Sequence, residues 1–194
     1  SSLVEAPSPE VVRETYAEGA ERLVSLGWTG AHDMSVPWSI VPIIEDLAIS
    51  GELPLRSYLS VGPEGYAPLA AGGHRDVASG RVITRAVKLY MDGALGSRGA
   101  ALLEPYADRP ETSGLAIAEA DETIGLFTDA LRQGIQMNVH AIGDRGNRYL
   151  LDWVEEARAQ VPEEEWALAD PRWRDEHSQI VDPADIPRFA ELGV

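Results

Sequence analysis

Ala86-Val87-Lys88-Leu89-Tyr90-Met91-Asp92 alternates between two kinds of side chain. Lys88, Tyr90 and Asp92 fall on one face of an extended segment and Val87, Leu89 and Met91 on the other, because successive side chains of a strand point to opposite sides. Gln136-Met137-Asn138-Val139-His140 repeats the pattern, with Gln136, Asn138 and His140 on its polar face. Apolar residues turned toward covering helices and polar residues turned toward a lumen suit an enzyme barrel, whose chemistry sits at the C-terminal ends of its strands.

Outward from these segments one unit recurs: an amphipathic helix, a glycine, then a short strand ending on a polar residue. The first helix has Ser8 as N-cap, Pro9 at the first helical position and Gly27 just past its end, the usual start and stop residues. Trp28 to His32 reads as a strand. Ile40, Ile43, Ile44, Leu47 and Ala48 form a one-sided stripe at helical spacing that stops at Gly51, and Leu55 to Val61 follows as a strand. The stretch from Gly62 to Gly80 is rich in Gly, Ala and Pro and reads as a long loop, with His74 solvated in it. Thr84 to Asp92 is the next strand. Ala120, Ile124, Phe127 and Leu131 mark a helix closed by Gly134, and Ile135 to His140 a strand. Tyr149, Leu150, Trp153, Val154 and Ala157 form another stripe. Trp173 to His177 is the last strand, and Asp182-Pro183 opens a helix that ends before Gly193. Strands alternating with helices imply an α/β fold with a mainly parallel sheet. Five strands fit either an open doubly wound sheet or part of an eightfold barrel. The glycine fingerprints of nucleotide-binding open sheets are missing, and the alternation inside the two strands favours the barrel.

The composition narrows the function classes. The chain has 194 residues and 44% hydrophobic content, enough for one globular core. With 16 Lys+Arg against 32 Asp+Glu its formal charge is −16, so phosphate backbones and anionic lipid surfaces repel it and neither nucleic acid nor membrane is an expected partner. No cysteine is present, so a metal would have to be held by nitrogen and oxygen ligands. No apolar stretch approaches the ~20 residues of a membrane span. Both ends, Ser1-Ser2-Leu3-Val4-Glu5 and Glu191-Leu192-Gly193-Val194, read as cuts within a longer chain, and a cytoplasmic location is expected.

Lys88, His140 and His177 lie at or near the ends of three strands, where a barrel would bring them to one mouth. A lone histidine at a strand end is weak evidence, since histidine is of intermediate burial. Two on successive strands, behind an inward lysine, point more firmly to a site. An ammonium inside a barrel is costly unless it is paired, neutralised or modified. Asp92 could pair with it from the same face, or a desolvated neutral Lys88 could serve as a nucleophile toward a carbonyl or carbon dioxide. Arg98 could clamp an anionic group or pair with Asp92 or Glu104. Asp144 could cap the helix beginning near Arg145 or orient a metal-bound histidine, and His32 could line the pocket. Asp175 stands where an apolar residue is expected.

Val87-Lys88-Leu89-Tyr90-Met91-Asp92-Gly93-Ala94-Leu95-Gly96-Ser97-Arg98-Gly99-Ala100 resembles the signature of amidohydrolase family 3, the branch of metal-dependent amidohydrolases that contains N-substituted formamide deformylases. Asn138-Val139-His140-Ala141-Ile142-Gly143-Asp144-Arg145 and Glu176-His177-Ser178-Gln179 resemble the next two motifs in the same order, and Trp28-Thr29-Gly30-Ala31-His32-Asp33 resembles an earlier strand. The resemblance implies a single incomplete catalytic domain over residues 1–194, a partial (β/α)8 TIM-like barrel of about strands two to six. It implies one or two divalent ions, zinc first among them, with Lys88, carboxylated, as the bridge and His140 and His177 as ligands. Residues 32, 92, 98 and 144 would line the substrate, and the family's general-base Asp would lie beyond Val194. No His-x-His pair occurs in the sequence, so half of the family's metal site is missing from it. The expected activity of the complete protein is hydrolysis of a non-peptide carbon–nitrogen bond in a small amide or formamide by metal-activated water; these residues alone are expected to be inactive, and oligomerisation is left open. The alternatives are a Schiff-base lyase or aldolase using Lys88 and a non-catalytic regulatory barrel of the same family.

Overall fold

A computed structural model of the chain describes residues 6–194, which fall into two compact units, one reaching to Val87 and one running from Lys88 to Val194. The opening segment Ser1 to Glu5, read above as a cut end, lies outside the described residues.

In the first unit α1 spans Pro9–Ser25, with the Ser8 hydroxyl accepting from the Val11 amide at 3.4 Å and Pro9 opening the helix. The strand β1 covers Gly30–Val36, starting two residues later and running four residues further than the sequence pattern suggested. Helix α2, Val41–Ser50, is stopped by the left-handed Gly51 at φ 81°, a conformation that costs glycine nothing. Strand β2, Arg56–Val61, lies parallel to β1 and to β4, Val82–Tyr90. The expected loop from Gly62 to Gly80 is not one loop. It holds a 3-10 turn at Pro63–Gly65, the short helix α3, Tyr66–Gly72, and the strand β3, Arg75–Val77, which pairs antiparallel with β4. Two long-range contacts override the Gly/Ala/Pro composition: Leu69 is completely buried, and the Arg75 guanidinium grips both oxygens of the buried Glu45 on α2. Ile44, Leu47, Leu59 and Val82 complete this unit's core, all with no exposed surface.

The second unit begins with the last residues of β4. Helix α4, Ala120–Gln133, ends on left-handed Gly134, and β5, Gln136–Ala141, follows it. Helix α5 spans Asp144–Gln160, β6 spans Arg174–His177 parallel to β5, and α6 spans Ile186–Leu192. The Met91 amide donates to the His140 carbonyl at 2.8 Å, tying the end of β4 to the end of β5. Within the first unit the strand order is β1-β2-β4, with β3 beside β4, and within the second β5 lies between the end of β4 and β6. Phe127 packs on Trp173 at 5.0 Å between centroids, and the Trp173 indole donates to the Ile135 carbonyl. The last helix starts after Asp185, later than Asp182-Pro183 suggested. Asp185 is 3% exposed and held by both Arg148 and Arg188, so these residues form an ion-paired turn instead of a first helical turn.

Asp92 organises the chain just beyond β4. It has no exposed surface, and its carboxylate accepts three backbone amides: Ala101 at 2.9 Å, Ile142 at 2.9 Å and Gly143 at 2.8 Å. A Cβ on Gly146 would sit 2.6 Å from that carboxylate, and one on Gly143 only 2.0 Å from the Ala101 carbonyl; glycine at both positions is what lets the loops close. Replacing Asp92 by Asn keeps the volume but turns one acceptor into a donor facing amide hydrogens. Charge-assisted bonds contribute ~1.5–3 kcal/mol each and an unmet buried donor costs about as much, so Asp92→Asn is expected to lower unfolding stability by about 3 kcal/mol in urea titrations. Asp108→Ala, which breaks only an exposed pair with Arg98, should change it by under about 1 kcal/mol; equal losses in the two variants would refute the assignment.

Asp175 sits inside β6, largely buried, and burial pushes its carboxyl up to about 7, with the Asp92 and Glu176 charges adding to the rise and Ser178 opposing it. An acid whose folded value exceeds its unfolded one holds more protons when folded, so stability falls as pH rises from about 4 through 7. Asp175→Asn removes that penalty. Melting curves should show the variant gaining on the native chain as pH is raised from 4 to 8, and a constant difference across that range would refute the buried-acid reading.

Candidate metal centre

Three elements of the second unit deliver the three residues singled out by the sequence. Lys88 is 4% exposed near the end of β4, and its amine donates to the Leu89 carbonyl at 2.8 Å. The amine lies 3.7 Å from the centroid of the Tyr90 ring, as two same-face residues of a strand permit. The Tyr90 ring in turn meets the His140 ring at 5.3 Å, and His140 meets His177 edge to face at 4.6 Å and 74°. Lys88, His140 and His177 therefore share one continuous patch. His177 and Ser178 carry positive φ angles of 85° and 41°, a strained conformation for non-glycine residues of the kind that collects at functional sites.

The electrostatics of the patch suit nitrogen ligation. Burial pulls the Lys88 amine down to about 8 from its ordinary value, while the Glu176 and Asp175 charges push the other way. His140 is also lowered, first by burial, then by the charges of Lys88 and His177, against the opposing pull of Asp92 and the Gly93 backbone. That keeps the His140 ring in the neutral form that binds metals. Its Nε2 is buried without a hydrogen bond, with the Asp92 carboxylate 3.5 Å away. A buried imidazole nitrogen lacking a hydrogen bond, a second imidazole against it and a readily deprotonated amine make a donor set that fits a divalent ion of intermediate softness. Among the described residues no group of three or more His, Asp and Glu is placed to hold a metal, so without Lys88 the set is two histidines.

The remaining sequence candidates are placed differently. Asp92 does not stay on the Lys88 face or pair with Lys88; it is sealed under the loops it ties together. Arg98 pairs with Asp108 at 2.6 Å at the surface, not with Asp92 or Glu104. Asp144 is the first residue of α5 behind the cap Gly143, and its Oδ1 accepts from the Leu103 and Arg145 amides at 2.8 and 2.9 Å. His32 belongs to the first unit, where it stacks on Tyr58 at 4.9 Å and borders a cleft of about 670 Å³ beside Tyr16, Asp33 and Ser57. In that cleft burial raises both the Tyr16 phenol and the Asp33 carboxyl. Tyr90, Asp175 and Glu176 were not among the sequence candidates; for Tyr90 the signal was present, since it is two residues from Lys88 on the same strand face.

Comparison with known proteins identifies the family and the fold. The model of the amidohydrolase family matches residues 2–194. YtcJ of Bacillus subtilis (strain 168), an amidohydrolase candidate, is 32% identical over 197 residues, covering 96% of this chain and 34% of its own length. Protein LONG AFTER FAR-RED 3 of Arabidopsis thaliana is 34% identical over 108 residues, covering 56% of this chain and 18% of its own length. The crystal structure of an uncharacterized metal-dependent hydrolase from Pyrococcus horikoshii OT3 superposes with a TM-score of 0.83 at 29% identity, over 97% of this chain and 36% of that one. Another, from Pyrococcus furiosus, gives 0.84 at 30% identity, over 98% and 38%. The chain thus spans 18% and 34% of the length of these two curated relatives. The fold is that of a partial TIM-like barrel, and with its family model matched from residue 2 to the last residue the chain belongs to the amidohydrolase family.

Proposed function

We propose that the whole protein is a metal-dependent hydrolase that cleaves a non-peptide carbon–nitrogen bond, of amide or formamide type, in a small molecule, in the manner of the formamide-deformylase-like branch. The observation that carries this reading is the adjacency of two imidazoles from successive strands, His140 and His177, to the buried amine of Lys88 on the strand before them. These three residues would hold part of a divalent centre, zinc first among the candidates, and the remaining ligands would come from sequence outside residues 1–194. When bound, such an ion acidifies a water and polarises the carbonyl under attack.

The chain's own contribution is to present its donors in the right state. Burial and the neighbouring Lys88 charge hold His140 neutral, and a neutral imidazole is the ligand form. Desolvation brings Lys88 toward the free amine at pH values where an exposed lysine is fully protonated, which is the form that binds a metal or takes up carbon dioxide. Asp92 fixes the loops after β4 and β5 and so the directions from which residues 88 and 140 approach each other. A small neutral or cationic amide is the partner this acidic chain would admit; no helix among the described residues is long and apolar enough to cross a membrane, and a cytoplasmic location is proposed with the rest.

The lowered Lys88 amine also favours a second reading, a Schiff-base lyase. In the whole protein, tight zinc should be found by elemental analysis, and Lys88→Ala, His140→Ala or His177→Ala should each weaken it by more than about 100-fold, beyond the 10–100-fold typical of residues that only orient ligands. Amide hydrolysis should fall with the metal and return when it is restored. Hydrolysis that persists in thoroughly metal-free protein would overturn the proposal, and borohydride trapping of a carbonyl substrate on Lys88 would replace it with the second reading.

A further inference from the structure

We propose that Asn147, near the start of α5, is a positioning residue for His177: its side-chain amide pins the chain after β6 in the reversed course that carries the His177 ring to His140. The register of β5 and β6 pairs Asn138 with Arg174, His140 with Glu176 and Ala141 with His177. Paired residues of neighbouring strands point to the same side, and successive residues to opposite sides. Continued alternation would therefore send His177 to the face of Asp175 and Ala141, away from His140. The two rings nevertheless meet at 4.6 Å between centroids. The φ of 85° at His177 accounts for this, because rotation about its N–Cα bond swings Cβ to the other side, and Ser178 follows at φ 41°. Neither residue is glycine, so both conformations are disfavoured and need a hold from outside the turn. Two hydrogen bonds supply it at Ile180, three residues past His177. The Ile180 amide donates to the Ile142 carbonyl at 2.9 Å, and its carbonyl accepts from Asn147 Nδ2 at 3.1 Å. The same nitrogen donates to the Gly143 carbonyl at 2.8 Å and to that of Ala141 at 3.4 Å, while Oδ1 has no hydrogen bond. Carbonyls from the end of β5, the start of α5 and the chain after β6 thus surround one donor, a place that suits an amide nitrogen and not a carboxylate. Asn147 has no exposed surface, so water has no access to replace its bonds, and an Ile180 carbonyl left without its donor would bear the cost of a buried unmet acceptor.

The hold on Ile180 stands on these contacts alone; its consequence for metal capture rests on the metal-centre reading above. The test uses the whole protein and compares two variants. Asn147→Ser keeps a hydroxyl able to bond the Gly143 carbonyl four residues back, as serine does within helices, but is too short to reach Ile180. Val154→Ala removes buried volume further along the same helix and serves as the stability reference. In metal-free native protein the Ile180 amide should exchange with deuterium far more slowly than in guanidinium. In Asn147→Ser it should exchange about 2- to 10-fold faster than in native protein, the factor spanned by one ordinary hydrogen bond. Zinc affinity, by competition with a chromophoric chelator, should fall about 10- to 100-fold in Asn147→Ser, the range for residues that orient a metal ligand. It should stay within about twofold in Val154→Ala, whatever stability that variant loses in urea. Zinc affinity that simply follows stability across the two variants would leave Asn147 a packing residue and overturn the proposal, and so would native zinc affinity in Asn147→Ser. Should Asn147→Ser not fold, an Ile180 amide that exchanges in native protein as fast as in guanidinium overturns it without the variant. Quickened Ile180 exchange in a protein that takes up no zinc supports the hold on the turn and overturns the metal-centre reading instead.

Discussion

One buried carboxylate sets the geometry on which the second unit's site depends. Asp92 has no water to solvate it and no cation bonded to it, so its charge is met by the backbone amides of Ala101, Ile142 and Gly143. Such charge-assisted bonds are strong and directional, and here they converge from two loops, one following β4 and one following β5. The loops can come that close because residues 143 and 146 have no side chain to collide with the Ala101 carbonyl or the carboxylate. With the strand ends locked by this junction and by the Met91 amide on the His140 carbonyl, the side chains just before them, Lys88 and His140, have little freedom in where they point.

The site built on that frame works by withholding water. Removing solvent from an ammonium and an imidazole disfavours the charged form of both, and each reinforces the other because a charge on Lys88 disfavours one on His140. The carboxylates of Glu176 and Asp175 pull in the opposite direction at Lys88 without prevailing. The outcome is an amine that gives up its proton near pH 8, where an exposed lysine keeps it, beside a His140 ring that favours its neutral form. Tyr90 lies over this cluster and has contacts to both of its inner members.

Much of the local structure was legible residue by residue. Ser8 and Pro9 marked a helix start, and Gly51 and Gly134 marked helix ends by adopting the left-handed conformation. The alternation through Lys88 and Tyr90 was legible as well, and so was the convergence of residues 88, 140 and 177. Where the reading failed, a distant partner had intervened. The Gly62 to Gly80 stretch has the composition of a loop, but Leu69 finds a core and Arg75 finds Glu45, which make a helix and a strand of it. Asp182-Pro183 has the look of a helix start, yet Arg148 and Arg188 claim the acids around it for a turn.

Asp92 marks the boundary between the two kinds of information. Its place after Lys88 and Tyr90 predicted a polar residue facing the same lumen, because alternation extends as far as the strand does. The strand stops at Tyr90, and from there the direction of a side chain is set by which unpaired amides surround it, a property of loops that are far apart in the chain. The sequence by itself determined most of the alternating elements, the glycine stops of α2 and α4 and the identities of the ligand-type residues, since these follow from local sterics and periodicity. Only the tertiary structure decided that Asp92 ties the loops beside His140 together, that Arg98 turns to Asp108, and that Tyr90 lies against Lys88, because each depends on burial and on partners that no local pattern records.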